Sequence, residues 1–280
     1  MTRHYNERGI SSCARLYRAR CPASRRMNVE AYLKRMNYRG PLDPSAATLR
    51  ELHKAHLLSI PFENLDNHLG RKIVLDEERV VHKLVNERRG GICYELNGAF
   101  CGLLRAMGFD VSMLSAGVAR DEGGFEPPFD HMTLMVQLED RWLADVGFGD
   151  SFREPLLLDV RGEQMQGEDA YRLVDCDGHV IVERRKDGQW KPEYRFTLEP
   201  HPYSDFVDMC HYHQTSPESI FTQRRACTRA TEEGRITVSD TRLIITARGE
   251  KQQRELHTDE QWKAALREHF GIELEPAADQ

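Results

Sequence analysis

Arg88-Arg89-Gly90-Gly91-Ile92-Cys93-Tyr94-Glu95-Leu96-Asn97 is a paired-glycine turn running directly into a helix-forming, amphipathic stretch, with a thiol at the opening. A helix start carries partial positive charge and unpaired N–H groups. These favour thiolate over thiol and can receive a developing oxyanion. Gly90-Gly91 lets backbone approach a substrate closely, and the polar neighbours Tyr94, Glu95 and Asn97 are unusual around a core cysteine. Downstream, His131 opens a strand after a loop over 121–130, and Asp145 lies between Ala144 and Val146, where a carboxylate is costly unless paired. A nucleophile, a base and an orienting acid are the parts of a thiol acyl-transfer site.

Outward from that stretch the pattern is helical on the N-terminal side. Apolar residues recur at three and four spacing over 29–36, 46–57, 76–88 and 93–107, with breakers at Gly40-Pro41 and Pro61 and a C-cap at Gly108. From Asp110 the period becomes two. Strands are expected over 111–118, 131–138, 142–146, 171–174, 179–184 and 189–196, with hairpin turns at Asp177-Gly178 and Asp187-Gly188. Met132, Leu134 and Val136 face one side, His131, Thr133 and Met135 the other. Such a meander forms a barrel or a strongly curved sheet. A turn at Glu139-Asp140 sets residues 134 and 145 roughly opposite, so His131 meets Asp145 only if the sheet bends or the pairing slips. Further on, a short helix over 203–213, strands over 226–229, 235–238, 242–247 and 255–257, and a capped helix from Thr258 to Gly271 complete the reading.

Composition bounds the function. The chain has 280 residues, 40% of them hydrophobic, and a formal charge of −6, enough for a substantial core, with no basic patch for nucleic acid. No apolar run approaches the roughly 18 residues of a membrane span. Seven cysteines (Cys13, Cys21, Cys93, Cys101, Cys176, Cys210, Cys227) form no CxxC pair or zinc-type cluster, and their odd count favours a reducing compartment. Residues 1–26 hold seven arginines and one glutamate without periodicity. That composition resembles a transit peptide, but the missing amphipathic face favours a disordered extension or a start site placed too early.

Each site residue has a plainer reading. A lone cysteine is most often a small buried group, and Cys101 reads that way. Glu63 and Arg89 either brace the turn before Cys93 or form a solvated surface pair. Phe148 lines a pocket or fills the core. Cysteine peptidases and transglutaminase-like hydrolases can carry Cys, His and Asp in the same order, and a non-catalytic binding module can keep such a fold.

The blocks RRGGICYELNGAF (88–100), DHMTLMV (130–136) and ADVGFGD (144–150), in this order, resemble the active-site blocks of the arylamine N-acetyltransferases. The likeness extends to 32–66 and 214–246 and covers about Met27 to Gly271; the 26-residue extension has no counterpart in the family pattern. The resemblance implies an α+β fold with a cysteine-proteinase-like core. It comprises a helical bundle (27–109), a central antiparallel β-barrel (110–200) and a C-terminal α/β lid (201–280). It implies Cys93 as nucleophile, His131 as base and Asp145 as orienting acid. Acetyl-CoA would be the co-substrate, with arylamines, arylhydrazines and N-hydroxyarylamines as acceptors and no metal. Gly124, Phe125, Ser216, Ser219 and Phe221 are candidate CoA contacts. A cytoplasmic enzyme, monomer or homodimer, with no nucleic-acid or membrane partner, is expected.

Overall fold

The computed structural model describes residues 27–274; the extension expected over 1–26 lies outside them. Helices α1 (Val29–Arg35) and α2 (Ala46–Ser59) start on side-chain caps. Asn28 Oδ1 accepts from the Ala31 N–H, and Ser45 Oγ from the Thr48 N–H. The short strand β1 (Phe62–Glu63), the one-turn helix α3 (Leu65–His68) and α4 (Glu77–Val81) lead to α5 (Cys93–Ala106). The helix expected over 76–88 is α4 followed by a π-helical turn, His82–Asn86. In that wide turn Lys83 lies in the interior, against Asp66 and Glu95.

Helix α5 departs from the amphipathic expectation. Eleven of its 14 residues are buried, so it is a central post with other elements on all sides. Its polar first turn lies inside because Glu95 and Asn97 both have partners there.

An eight-stranded antiparallel sheet follows. Its strands are β2 (Asp110–Val118), β3 (His131–Gln137), β4 (Arg141–Ala144), β5 (Leu156–Leu157), β6 (Gln164–Gln166), β7 (Asp169–Cys176), β8 (His179–Lys186) and β9 (Gln189–His201). The order is β5-β4-β3-β2-β9-β8-β7-β6, with register shifts at Leu114/Ala116 and Val182/Glu183 that help curl it. The result is a nearly closed barrel. Two glutamines complete the seam where no ladder forms. Gln164 Oε1 accepts from the Leu157 N–H at 2.7 Å and its Nε2 donates to Leu157 O at 3.0 Å. Gln166 makes the equivalent contacts with Arg153 and Glu154. The sheet is two-faced: Met132, Leu134 and Val136 pack on the helices, whereas Leu114, Leu143, Tyr171, Val182, Tyr194 and Phe196 fill the barrel.

The expected Asp-Gly turns are present, with φ of 48° and 76° at Asp177-Gly178 and 51° and 75° at Asp187-Gly188. A second antiparallel sheet takes the order β1-β10-β11-β12-β13, with β10 (Ala226–Thr231), β11 (Gly234–Ser239), β12 (Arg242–Ala247) and β13 (Glu250–Glu255). β13 replaces the strand expected over 255–257. All its residues are polar and exposed, so no periodicity marks it. Helices α6 (Val207–Thr215), reached through a 3₁₀ turn, and α7 (Ile220–Gln223) precede this sheet. α8 (Asp259–Phe270) packs Trp262, Leu266 and Phe270 on it and ends at left-handed Gly271.

Replacing Gln164 and Gln166 by alanine strands Leu157 and Glu154 backbone groups. The double variant should lose about 2 kcal/mol of unfolding free energy in urea titrations. A loss below about 0.5 kcal/mol would show that the amides do not hold the seam.

Candidate active site

The chain ahead of Cys93 is fixed by a buried cluster of three carboxylates and two cations. Arg89 Nε donates to Glu63 Oε1 at 2.9 Å, and its Nη2 to Glu63 Oε2 at 3.1 Å and Asp66 Oδ1 at 2.9 Å. Lys83 Nζ reaches Asp66 at 2.7 Å and both oxygens of Glu95 at 2.8 and 3.0 Å. Glu63 is 1% and Arg89 4% exposed, so the solvated surface pair is excluded. The Gly90 N–H donates to Glu63 and the Ile92 N–H to Glu95. Burial pushes the Glu95 carboxyl up despite Lys83. For Asp66 the same burial is outweighed by Lys83 and Arg89, which hold it below the usual carboxylate range.

Two expectations change here. A Cβ on Gly90 would sit 2.0 Å from Pro61 O, and one on Gly91 2.6 Å from Glu95 Oε2. The paired glycines therefore serve close approach of protein to protein, not to substrate. The amides of Gly90 and Ile92 point at carboxylates and are not available to the sulfur.

One helical turn after Cys93, Asn97 forms a three-way junction. Its Nδ2 donates to Met132 O at 2.6 Å and Asp145 Oδ1 at 2.9 Å, and its Oδ1 accepts from the Val146 N–H at 2.9 Å. A Cβ on Gly147 would lie 2.8 Å from Cys93 Cα, so only glycine lets the 145–149 loop rest on the first turn of α5. The hairpin pairs Leu134 with Ala144, one residue from the expected register, and the ladder stops there. Asp145 thus leaves the sheet and turns back: His131 Nε2 lies 2.6 Å from Asp145 Oδ2. Nε2–H donates to the carboxylate, leaving Nδ1 as the ring nitrogen free for chemistry. Burial alone would raise the Asp145 carboxyl. His131, Asn97 and the Gly147 N–H reverse that and hold it below its ordinary value.

Cys93 lies beside this pair, its sulfur accepting from the Met132 N–H. Burial pushes the thiol well up, and the charges of Asp130 and Asp145 add to that, against the single Met132 N–H. A thiolate held by the helix start alone is costly here. Negative charge on sulfur needs a cation beside it.

The aromatic walls are Phe148, edge-on to His131 at 5.4 Å, Tyr194 at 5.2 Å from both rings, and Phe62 against Phe221 at 5.8 Å. Of the other expected contact residues, Ser219 is bonded to the residue bearing one of these rings. Gly124, with φ of 80°, and Phe125 form an outer turn, where the Arg195 guanidinium covers the Phe125 ring. Ser216 Oγ accepts from the Glu218 N–H at the end of α6. Ser219 is buried, its Oγ accepting from the Phe221 N–H and bonded to His213 Nδ1. Among the described residues no group of three or more His, Cys, Asp or Glu could hold a metal ion, and no helix is long and apolar enough to cross a membrane.

His53, Asn97 and Tyr194 were missed from sequence. Asn97 had a signal, being four residues after Cys93 and on its face. His53 and Tyr194 arrive from distant elements with no local pattern. His53 Nδ1–H donates to Arg153 O at 2.9 Å, while Nε2 accepts from the Asp145 N–H at 3.1 Å.

A buried helix that starts at a thiol lies beside a nearly closed barrel that carries a hydrogen-bonded His–Asp pair. The profile of a family described as N-acetyltransferase matches residues 45–279. Escherichia coli arylamine N-acetyltransferase is 34% identical, over 88% of this chain and 89% of that protein. The structure of arylamine N-acetyltransferase from M. tuberculosis has a TM-score of 0.83 at 31% identity, covering 88% of this chain and 94% of that one. That of the Mycobacterium marinum enzyme in complex with CoA has a TM-score of 0.82 at 30% identity, covering 88% and 93%. The chain belongs to the arylamine N-acetyltransferase family and is an acetyltransferase.

Removing Lys83 leaves Asp66 and Glu95 short of a cation. Lys83→Met should cost about 3–5 kcal/mol of unfolding free energy, measured in urea; a change within experimental error would refute the bracing role. His53 supplies a pH signature. Burial lowers its pKa from 6.5 to about 4. Between those values the unfolded chain binds a proton that the folded one refuses, so stability falls as pH drops from 6.5 towards 4. The contribution is about 3 kcal/mol. His53→Gln should flatten the fall in melting temperature over that window; an unchanged slope would contradict it.

Proposed function

We propose that this protein transfers the acetyl group of acetyl-CoA to arylamines, arylhydrazines and N-hydroxyarylamines through an acetyl-Cys93 intermediate. The observation carrying this reading is the 2.6 Å contact between His131 and Asp145 beside the buried Cys93. Support for the co-substrate comes from the CoA complex of the M. marinum relative.

In the first half-reaction His131 Nδ1 takes the thiol proton as sulfur attacks the thioester carbonyl. A new S–C bond forms, the CoA S–C bond breaks, and the imidazolium returns its proton to the departing CoA thiolate. In the second, the amine nitrogen attacks the acetyl carbon, Cys93 sulfur leaves, and His131 carries the amine proton back to it. Asp145 fixes the tautomer and stabilises the imidazolium. A dry, aromatic cleft of Phe62, Phe148 and Phe221 favours a flat amine over water, which would yield free acetate.

We retain Gly124, Phe125 and Ser216 as candidate CoA contacts. Ser219, its hydroxyl already engaged, would act by holding Phe221. The helices of 27–109 form the bundle and 201–280 the lid in this reading, and the enzyme is cytoplasmic.

Mixed with acetyl-CoA alone, the protein should release one equivalent of CoA and gain the mass of one acetyl group on the peptide carrying Cys93. An arylamine should then discharge it. Cys93→Ala should abolish both events, and Asp145→Asn should lower kcat by about 10³–10⁴. Continuous CoA release without amine would mark a hydrolase, and an adduct that survives in Cys93→Ala would remove Cys93 from its role.

A further inference from the structure

Asp130 immediately precedes His131 and carries a separate acid–imidazole contact. His213 Nε2, from α6, lies 3.2 Å from Asp130 Oδ1 and 3.3 Å from Asp130 O. On the other side His213 Nδ1 lies 3.1 Å from Ser219 Oγ. That oxygen already accepts the Phe221 N–H at 3.3 Å, so its own proton is free to go to Nδ1. This assigns the tautomer: Ser219 O–H donates to Nδ1, and Nε2–H faces the Asp130 carboxylate.

The ring is buried among Tyr94 of α5 at 6.1 Å, Phe221 of α7 at 5.0 Å and Tyr212 of its own helix at 5.6 Å. Asn67, beside it from α3, donates to its carbonyl. Among the described residues the other donor to the Asp130 carboxylate is the Val118 N–H, at 3.4 Å. Asp130 is therefore a largely buried acid close to the reactive thiol, with His213 as its principal partner. Among the described residues, the charged and titratable groups that interact with Cys93 include Asp130 and Asp145 from the barrel side, Cys210 from α6, Tyr203 from the 3₁₀ turn before it and Tyr94 of α5, together with the neutral Met132 N–H.

We propose that His213 is a positioning residue for the thiol chemistry: through Nε2 it screens the Asp130 carboxylate from Cys93, and through Ser219 it ties that screen to the segment bearing Phe221. The inference rests on Cys93 being the acyl acceptor. It adds a control on sulfur acidity outside the Cys93, His131 and Asp145 set. The Asp130 carboxylate opposes ionisation of Cys93, and its contact with His213 Nε2 at 3.2 Å limits how strongly it acts.

The test is the pH dependence of iodoacetamide alkylation at Cys93, followed by peptide mass spectrometry on the full chain, with no acetyl-CoA present. His213→Leu keeps the bulk and removes both ring nitrogens. It should raise the inflection by about half a pH unit, the order expected when a carboxylate loses a neutral hydrogen-bond donor and its charge acts on the sulfur unscreened. Asp130→Asn should lower it, and adding His213→Leu to Asp130→Asn should move it no further. An unchanged inflection in His213→Leu, or an equal rise in both backgrounds, overturns the proposal. Should His213→Leu fail to fold, Asp130→Asn decides, because an inflection no lower than the parent's removes the charge that His213 is said to screen. Failure of the functional reading looks different: Cys93 would then alkylate no faster than Cys101 in the parent protein.

Discussion

Everything near the reactive sulfur depends on five charges sealed beneath the turn before it. Glu63, Asp66 and Glu95 share Lys83 and Arg89, and none of the five is more than slightly exposed. Such a cluster adds little net stability, because desolvation offsets most of the attraction. Its effect is specificity. Three acids and two bases have few ways to satisfy each other in a dry interior, and any slip of the 88–92 turn strands one of them. Arg35 reinforces the constraint, donating to carbonyls of Leu84 and Ser59, with no carboxylate partner among the described residues. The start of α5 is thus set by electrostatics independent of the barrel.

The barrel side is fixed by hydrogen bonds instead. Glu95 and Asn97 leave α5 two residues apart and serve different masters: Glu95 answers to Lys83, Asn97 to Asp145 and the 132 and 146 backbone. Cys93 occupies the same turn and is held from both directions. His53 adds a third anchor by gripping the backbone of Asp145 from α2. Because His53 is buried and neutral, it can accept that N–H without adding charge to a site already rich in carboxylates. The sulfur, imidazole and carboxylate therefore come from α5, β3 and the 145–149 loop, yet share one set of fixed points.

Local chemistry was legible in the sequence wherever a residue's role depends on near neighbours. Asp177-Gly178 and Asp187-Gly188 announced their turns because positive φ demands such residues. The alternation of Met132, Leu134 and Val136 revealed a two-faced strand. The order of the cysteine, histidine and aspartate blocks pointed to the family that the chain proves to belong to. What stayed hidden depends on distant partners. β13 lacks any apolar alternation because both its faces meet water. Lys83 has no local pattern that marks it as interior; the π turn carries it inside. The Gly-Gly pair was visible, but its reason, the carbonyl of Pro61, lies across the chain. His53, Tyr194 and His213 approach from separate elements, and no spacing rule connects them to Cys93.

The burial of the thiol shapes how its chemistry must run. A sulfur exposed at a helix end can hold negative charge by hydration and the helix dipole alone. Here the cysteine is 3% exposed, the nearby glycine-turn amides serve Glu63 and Glu95, and Asp130 and Asp145 oppose ionisation. On the proposed mechanism, the proton on sulfur would move to His131 in step with attack, so that charge separates only as a contact pair. A nucleophile ionised only in company with its base would give water little opportunity to use either one alone. In the proposed acyl-enzyme that property would favour an amine over water, and it would follow from the burial of Cys93 as much as from the identity of the three residues.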